Sequence, residues 1–354
     1  MDKRVTQIAS LACGAALIFL CMQMRSKGPV VIDSGSRVIM GTFANVIAVA
    51  AKAKTAQEGI EAAFREQRRI ETLMNYHRTD SELSRMNREA FGKPIKVDRA
   101  TFEVIQSAMH FSKLSDGAFD VTVGPLVDLW HSAADANSTP TEEELASAQA
   151  KVGWEKVVLD ANEATVKFAV EGMKIDLGGI AKGYAVDKSV EAMKKCGVLG
   201  GVVDIGGNIR CFGKPPAGKK TWLIGVQDPN AVTEDFNRGK PLMVLEMTNE
   251  AVATSGHYRR FVTVQGRRQS HIIDPHTGSG SDKLVSVTII APDAMTADAL
   301  STAVSVMGAE KGFRLVEGLE STEAILVTGH PEQKIVKTSG AQKYIRSDEI
   351  AFGP

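Results

Sequence analysis

Two adjacent glycines, Gly178-Gly179, stand between a strand-like stretch and a helix-like one, and they constrain the backbone more than any other pair in the chain. Residues 165–177 alternate as in a strand, and apolar residues then recur at Ile180, Tyr184, Val186, Val190 and Met193, as on a helix that Gly197 closes. A strand, a glycine turn and a helix start gather free backbone N–H groups, the positive end of a helix dipole and the Lys182 side chain near one point. Such a point suits a phosphate-bearing ligand. The stretch is neither the three-glycine dinucleotide fingerprint nor a P-loop. Close packing of a strand on a helix asks for the same glycines, so on this stretch alone both readings stand.

Charge then limits the partners. Forty-two Lys and Arg balance forty-two Asp and Glu over 354 residues. No overall field draws the chain to nucleic acid or to an anionic surface, so phosphate recognition has to be local. Further glycine pairs at Gly200-Gly201 and Gly206-Gly207 mark tight turns or a close approach of ligand to backbone. There is no internal repeat and no low-complexity tract.

Lys3 and Arg4 precede an apolar run over residues 8–24, which reads as a signal sequence or membrane anchor occupying residues 1–28. Export is expected. Ser10-Leu11-Ala12-Cys13-Gly14 resembles a lipoprotein box, but Ser10 stands where a large apolar residue belongs, so an uncleaved anchor is the preferred reading. Residues 29–36 read as a linker and 37–354 as one domain. Cys196 and Cys211 lie in that domain, where an oxidising compartment permits a disulfide, although two buried thiols are expected.

Within the domain, residues 37–51 alternate as a strand and lead into a helix over about 55–75 with an apolar stripe of Ile60, Ala63, Phe64, Ile70, Leu73 and Met74. Phe102, Ile105, Ala108 and Met109 mark a second helix, and Thr141-x-x-Glu144 is a capping box opening a third. Hairpins are predicted over 156–170, turning at Ala161-Asn162, and over 202–212, turning at Gly206-Gly207-Asn208. Strands follow at 222–227, 242–247, 259–264, 271–273 and 284–291, then helices at 294–307 and 310–317 and a strand at 323–328. The fold class is mixed α+β with largely antiparallel sheets and packed helices, one domain of two lobes around a cleft.

Several segments carry possible chemistry. Asp298 and Thr302 are four apart on a predicted helix and share a face. One carboxylate and one hydroxyl are too few for a calcium cage but suit Mg²⁺, which keeps waters and takes further oxygens from substrate phosphates. A helix-start charge and a back-bonded threonine would read the same way. His271, at the head of His271-Ile272-Ile273-Asp274-Pro275, and His257, in Ser255-Gly256-His257-Tyr258, are candidate general bases or plain structural hydrogen bonders. Asp120, in Ala118-Phe119-Asp120-Val121-Thr122, either contacts a ligand or caps a turn.

Together with Met40-Gly41-Thr42, Met74-Asn75-Tyr76 and the segment 204–208, these stretches resemble, in order, the ApbE family of FAD:protein FMN transferases. The resemblance implies an ApbE-like, T-fold-related domain around a flavin cleft. It also implies an exported bacterial enzyme at the inner membrane that splits FAD, releases AMP and joins FMN through a phosphoester to a Thr or Ser hydroxyl. By position, Met40, Tyr76, Ala118, Phe119, Asp120, Asp176, Lys182 and Ile272 would contact FAD. Gly179, through its carbonyl, with Asp298 and Thr302 would hold Mg²⁺, and His271 would be the base, with His257 its rival. The implied partner is an acceptor flavoprotein, a membrane redox subunit or an exported protein, carrying Thr in a Ser/Asp-Gly-Ala-Thr-like context. FAD hydrolysis and FAD storage in the periplasm are the alternatives.

Overall fold

The computed structural model describes residues 28–229, 241–256, 261–329 and 333–346. Among the described residues the helices are α1 (Ala53–Met74), α2 (Glu82–Glu89), α3 (Arg99–Leu114), α4 (Gly124–Asp135), α5 (Glu142–Gln149), α6 (Ala181–Lys195), α7 (Ala294–Met307) and α8 (Ala309–Glu317). In chain order the first eight strands are β1 (Val30–Asp33), β2 (Arg37–Ile39), β3 (Thr42–Ala50), β4 (Ile95–Lys96), β5 (Val157–Asp160), β6 (Thr165–Phe168), β7 (Gly200–Ile205) and β8 (Asn208–Gly213). The rest are β9 (Trp222–Gln227), β10 (Pro241–Met247), β11 (Ala251–Gly256), β12 (Phe261–Val264), β13 (Arg267–Ser270), β14 (Leu284–Ala291), β15 (Glu323–Thr328) and β16 (Ile335–Lys337).

Nine strands form the central sheet in the order β1-β3-β7-β8-β11-β14-β15-β16, with β2 beside β1 along β3. Every pair in it is antiparallel. Both faces are covered. Ala44, Val46, Ala48 and Ala50 of β3 turn toward the core under α1, while α6 covers β7 and β8 and α7 covers β11 and β14 on the same side. Val49, with Val202, Val252 and Ile290, packs on the far side against Trp222 of β9 and Met243 and Leu245 of β10. The period of two therefore sorts side chains between two apolar layers rather than between core and water.

The structure departs from the sequence reading in four places. Residues 37–51 are two strands, because Met40 (φ 52°) and Gly41 (φ 67°) make a two-residue hairpin turn between the paired Ile39 and Thr42. A turn of that type is what positive φ at both central positions produces. The stretch 165–177 is strand only over β6, which lies in a three-stranded sheet β4-β6-β5; residues 169–172 turn, and 173–177 keep the alternation with a single bridge from Lys174 to Val123. Residues 271–273 open a loop, closed by the Ile273–Gly280 bridge, and the strand of that region is β13. β1 lies inside the stretch read as linker and pairs with β3. Helix α7 and strands β9, β14 and β15 have the bounds read from the sequence, and Thr141 and Glu144 form the capping box at α5. Cys196 and Cys211 are free thiols, Cys196 only half-buried, and burial pushes Cys211 up to about 12.

Helices α6 and α7 touch backbone to backbone. A Cβ on Gly183 would stand 2.2 Å from the Ala294 carbonyl oxygen and 2.7 Å from Met295 Cα. Helix propensity alone would make Gly183→Ala stabilising by about 1 kcal/mol. A clash with backbone has no rotamer to relieve it, and overpacking costs about 1–3 kcal/mol. Gly183→Ala is therefore expected to lower stability in urea unfolding, and a rise would show that the helices do not meet there.

Candidate active site

The site begins where α6 begins. The first N–H groups of a helix lack intrahelical acceptors, and Ile180, the residue before α6, offers no side-chain cap. Asp298 of α7 supplies one from outside: its Oδ2 accepts the Gly183 N–H at 2.9 Å. The other oxygen lies 3.4 Å from Lys182 Nζ, which also donates to the Gly178 carbonyl at 2.7 Å. Asp298 is 3% exposed, so this pairing sits at the edge of the core rather than in bulk water.

One helical turn further along α7, Thr302 faces the glycine turn. A Cβ on Gly179 would lie 3.1 Å from Thr302 Oγ1 and 3.2 Å from the Phe119 ring, so only glycine leaves the hollow between them open. Four residues assigned by resemblance, Gly179, Lys182, Asp298 and Thr302, thus meet at one point although more than 110 residues separate the two helices' contributions. Their oxygens are hard donors. Among the described residues there is no group of three or more His, Cys, Asp and Glu able to hold a metal. An ion here would need oxygens from a substrate, which suits Mg²⁺ and not a structural zinc.

Around this point lie the other expected residues. Asp176 is fixed by its backbone, whose N–H donates to the Val121 carbonyl at 2.7 Å, and by Oδ1, which accepts the Gly178 N–H at 2.8 Å. Burial raises its pKa against the pull of that N–H, His77 and Lys182. Asp120 is raised by burial as well. Oδ1 serves its own turn, accepting the Thr122 N–H and hydroxyl at 2.7 Å, and Oδ2 ties in a distant segment by accepting the Trp154 N–H at 3.0 Å. Ala118 and Ile272 pack together with Val306, near the end of α7. His271 is exposed just beyond β13. The loop after it is pinned by Asp274, which accepts from Lys283 Nζ at 3.0 Å and from the His276 N–H at 3.0 Å. Burial opposes ionisation of Asp274, but Lys283 and that N–H outweigh it and hold the carboxyl below its usual range. His257, the other candidate base, lies outside the described residues.

Met40 and Tyr76 arrive on separate devices. The left-handed Met40 donates its N–H to Glu71 Oε1 at 3.0 Å, which ties the β2–β3 turn to α1. Tyr76, just past α1, has its hydroxyl 2.8 Å from Asp128 Oδ1 and 3.0 Å from the Gly124 carbonyl, and Lys174 Nζ binds the other Asp128 oxygen at 2.6 Å. Burial and the neighbouring Asp128 carboxylate push the phenol pKa well above its usual value.

The sequence reading missed Asp187. Its Oδ1 accepts the Ala294 N–H and its Oδ2 the Met295 N–H, both at 2.9 Å, and Arg210 Nη1 lies 2.6 Å from Oδ1. The available signal was position: Asp187 is four residues from Gly183 and so shares the face of α6 that meets another backbone.

Comparison with known proteins gives one consistent picture. The ApbE family matches residues 40–326. The FAD:protein FMN transferase of Haemophilus influenzae is 36% identical over 328 residues, covering 90% of this chain and 91% of that protein. That of Treponema pallidum is 31% identical over 333 residues, covering 90% of each. Among solved structures, the ApbE protein of Thermotoga maritima aligns with a TM-score of 0.78 at 31% identity, covering 90% of this chain and 99% of that one. The flavin transferase ApbE of Vibrio cholerae aligns with a TM-score of 0.75 at 30% identity, covering 89% and 99%.

The Tyr76 anchor can be checked without any ligand. Tyr76→Phe removes a half-buried hydroxyl with two acceptors and should lower stability by about 1 kcal/mol. Lys174→Met breaks a pair whose side chains are 44% and 40% exposed, and it should cost under about 1 kcal/mol. Urea unfolding of both variants compares them, and an unchanged midpoint for Tyr76→Phe would remove the hydroxyl from the fold's support.

Proposed function

The chain belongs to the ApbE family and transfers FMN from FAD to a protein, and we propose that it does so with Mg²⁺, onto a Thr or Ser hydroxyl, outside the cytoplasmic membrane. The observation that carries the proposal is the meeting of Asp298, Thr302 and Gly179 beside Lys182 at the start of α6. Asp298, Thr302 and the Gly179 carbonyl would hold the ion. When bound, Mg²⁺ supplies charge neutralisation for a pyrophosphate under attack.

In this reading the acceptor hydroxyl attacks the phosphorus of the FMN half, the P–O–P bond breaks and AMP leaves. Lys182 Nζ, held beside the Gly178 carbonyl and Asp298, stabilises negative charge on the phosphate oxygens from a fixed position. His271, exposed and reachable from solvent, takes the proton from the acceptor hydroxyl. Phe119, Ala118 and Ile272 give the flavin an apolar surface, and Met40, Tyr76, Asp120 and Asp176 complete its contacts. The acceptor is a subunit of a membrane redox complex or an exported flavoprotein with Thr in a Ser/Asp-Gly-Ala-Thr-like context. Among the described residues no helix is long and apolar enough to cross a membrane. The anchor proposed here is the apolar run over residues 8–24, and no site residue lies within it.

Incubating the protein with FAD, Mg²⁺ and such an acceptor should add the mass of an FMN moiety to the acceptor. Free FMN without addition would instead mean hydrolysis, and no product would mean storage.

Two variants assign the roles. His271→Ala should keep FAD binding while transfer falls by about 10²–10⁴-fold; a normal rate would take His271 out of the chemistry. Asp298→Asn keeps one acceptor oxygen for the Gly183 N–H but loses the charge, so transfer should need much higher Mg²⁺. Superimposable Mg²⁺ titrations for wild type and Asp298→Asn would sink the ligand assignment.

A further inference from the structure

Asp187 makes no contact with the groups assigned to FAD or metal, yet it holds the helix that carries two of the proposed ligands. Asp187 is 8% exposed, and its carboxylate takes three donors: the Ala294 and Met295 N–H groups that open α7, and Arg210 Nη1. Arg210 Nη2 in turn donates to the Pro292 carbonyl at 3.1 Å, just ahead of the same helix. On the other side of the crossing, Asp298 accepts the Gly183 N–H. Each helix therefore caps the other's amino end, and Gly183 lets their backbones come close enough to do so. The helix has its own cap in Asp293, which accepts the Thr296 N–H at 2.8 Å. Asp187 is thus not needed to start α7. What it adds is the position of α7 against α6.

We infer that Asp187, braced by Arg210, is a positioning residue that sets the place of Asp298 at the Gly179–Lys182 turn and so tunes the affinity of the cation site. This rests on the reading of Asp298 as a metal ligand. Groups that orient a metal's ligands change affinity by about 10–100-fold when they are removed, although they touch no metal.

The test uses the full chain and Mn²⁺ as a spectroscopic substitute for Mg²⁺, with binding followed by electron paramagnetic resonance and amide exchange read at Gly183. Asp187→Asn should weaken Mn²⁺ binding at least about tenfold and speed Gly183 exchange. Asp293→Ala weakens the same helix end while removing none of the hydrogen bonds of the crossing, and it should leave both within about twofold of wild type. Equal losses in the two variants would reduce Asp187 to a helix cap and overturn the proposal. Wild-type values for Asp187→Asn would do the same. If Asp298→Asn itself binds Mn²⁺ normally, the ligand reading fails, and this proposal goes with it. Should Asp187→Asn not fold, Arg210→Met keeps an unbranched apolar stem but can donate to neither Asp187 nor Pro292. It should then show the same two changes in smaller measure, and unchanged values would refute the bracing.

Discussion

Two carboxylates exchanged between two helices hold this molecule's site in place. Asp298 of α7 completes the start of α6, and Asp187 of α6 completes the start of α7. Hydrogen bonds to charged groups contribute about 1.5–3 kcal/mol each, and breaking a buried ion pair from one side costs about 3–5 kcal/mol. The pair Asp187–Arg210 is therefore a strong fixture, whereas Lys182–Asp298, at 3.4 Å, is looser. The asymmetry is useful. The rigid contact is remote from the proposed chemistry, and the looser one lies where a cation and a diphosphate would have to enter.

Asp298 consequently has two duties in one side chain. One oxygen is engaged by the backbone of α6, and the other faces an ammonium. In the proposed role of metal ligand, a carboxylate whose geometry is fixed by a helix it does not belong to would need little reorganisation on binding a cation, which is what electrostatic preorganisation requires. The sheet serves the same end. With apolar layers on both faces, it gives α6 and α7 a floor that neither can slide across without exposing Val203, Ala253 or Ile289.

Local signals were legible in the sequence, and distant ones were not. The capping box at Thr141, the helix Ala294–Met307 and the strand Leu284–Ala291 depend on neighbours within a few residues, and each was readable. The Met40-Gly41 turn was hidden because a two-residue hairpin preserves the alternation of the strands on either side. Met173, Ile175 and Leu177 alternate without a ladder, since burial alone sustains the pattern. At the site, Asp298 and Thr302 could be placed on one helix face by spacing. Their meeting with Gly179 came only from family resemblance, and the Asp187–Ala294 contact, 107 residues apart, had no sequence signature of its own.

The antiparallel pairing of β1 with β3 sets a leash. Val30 lies opposite Ala50, at one end of β3, while the Met40 turn immediately precedes Thr42 at the other. Along a nine-residue strand these ends are roughly 27 Å apart at about 3.3 Å per residue. Residues 25–29 add at most roughly 17 Å of extended chain. For a chain tethered through residues 8–24, the Met40 turn sweeps a shell no deeper than a few tens of ångströms above the bilayer. Under the proposed tether, acceptor hydroxyls on loops close to the membrane would fall inside that radius, and freely diffusing proteins would have to come down to it.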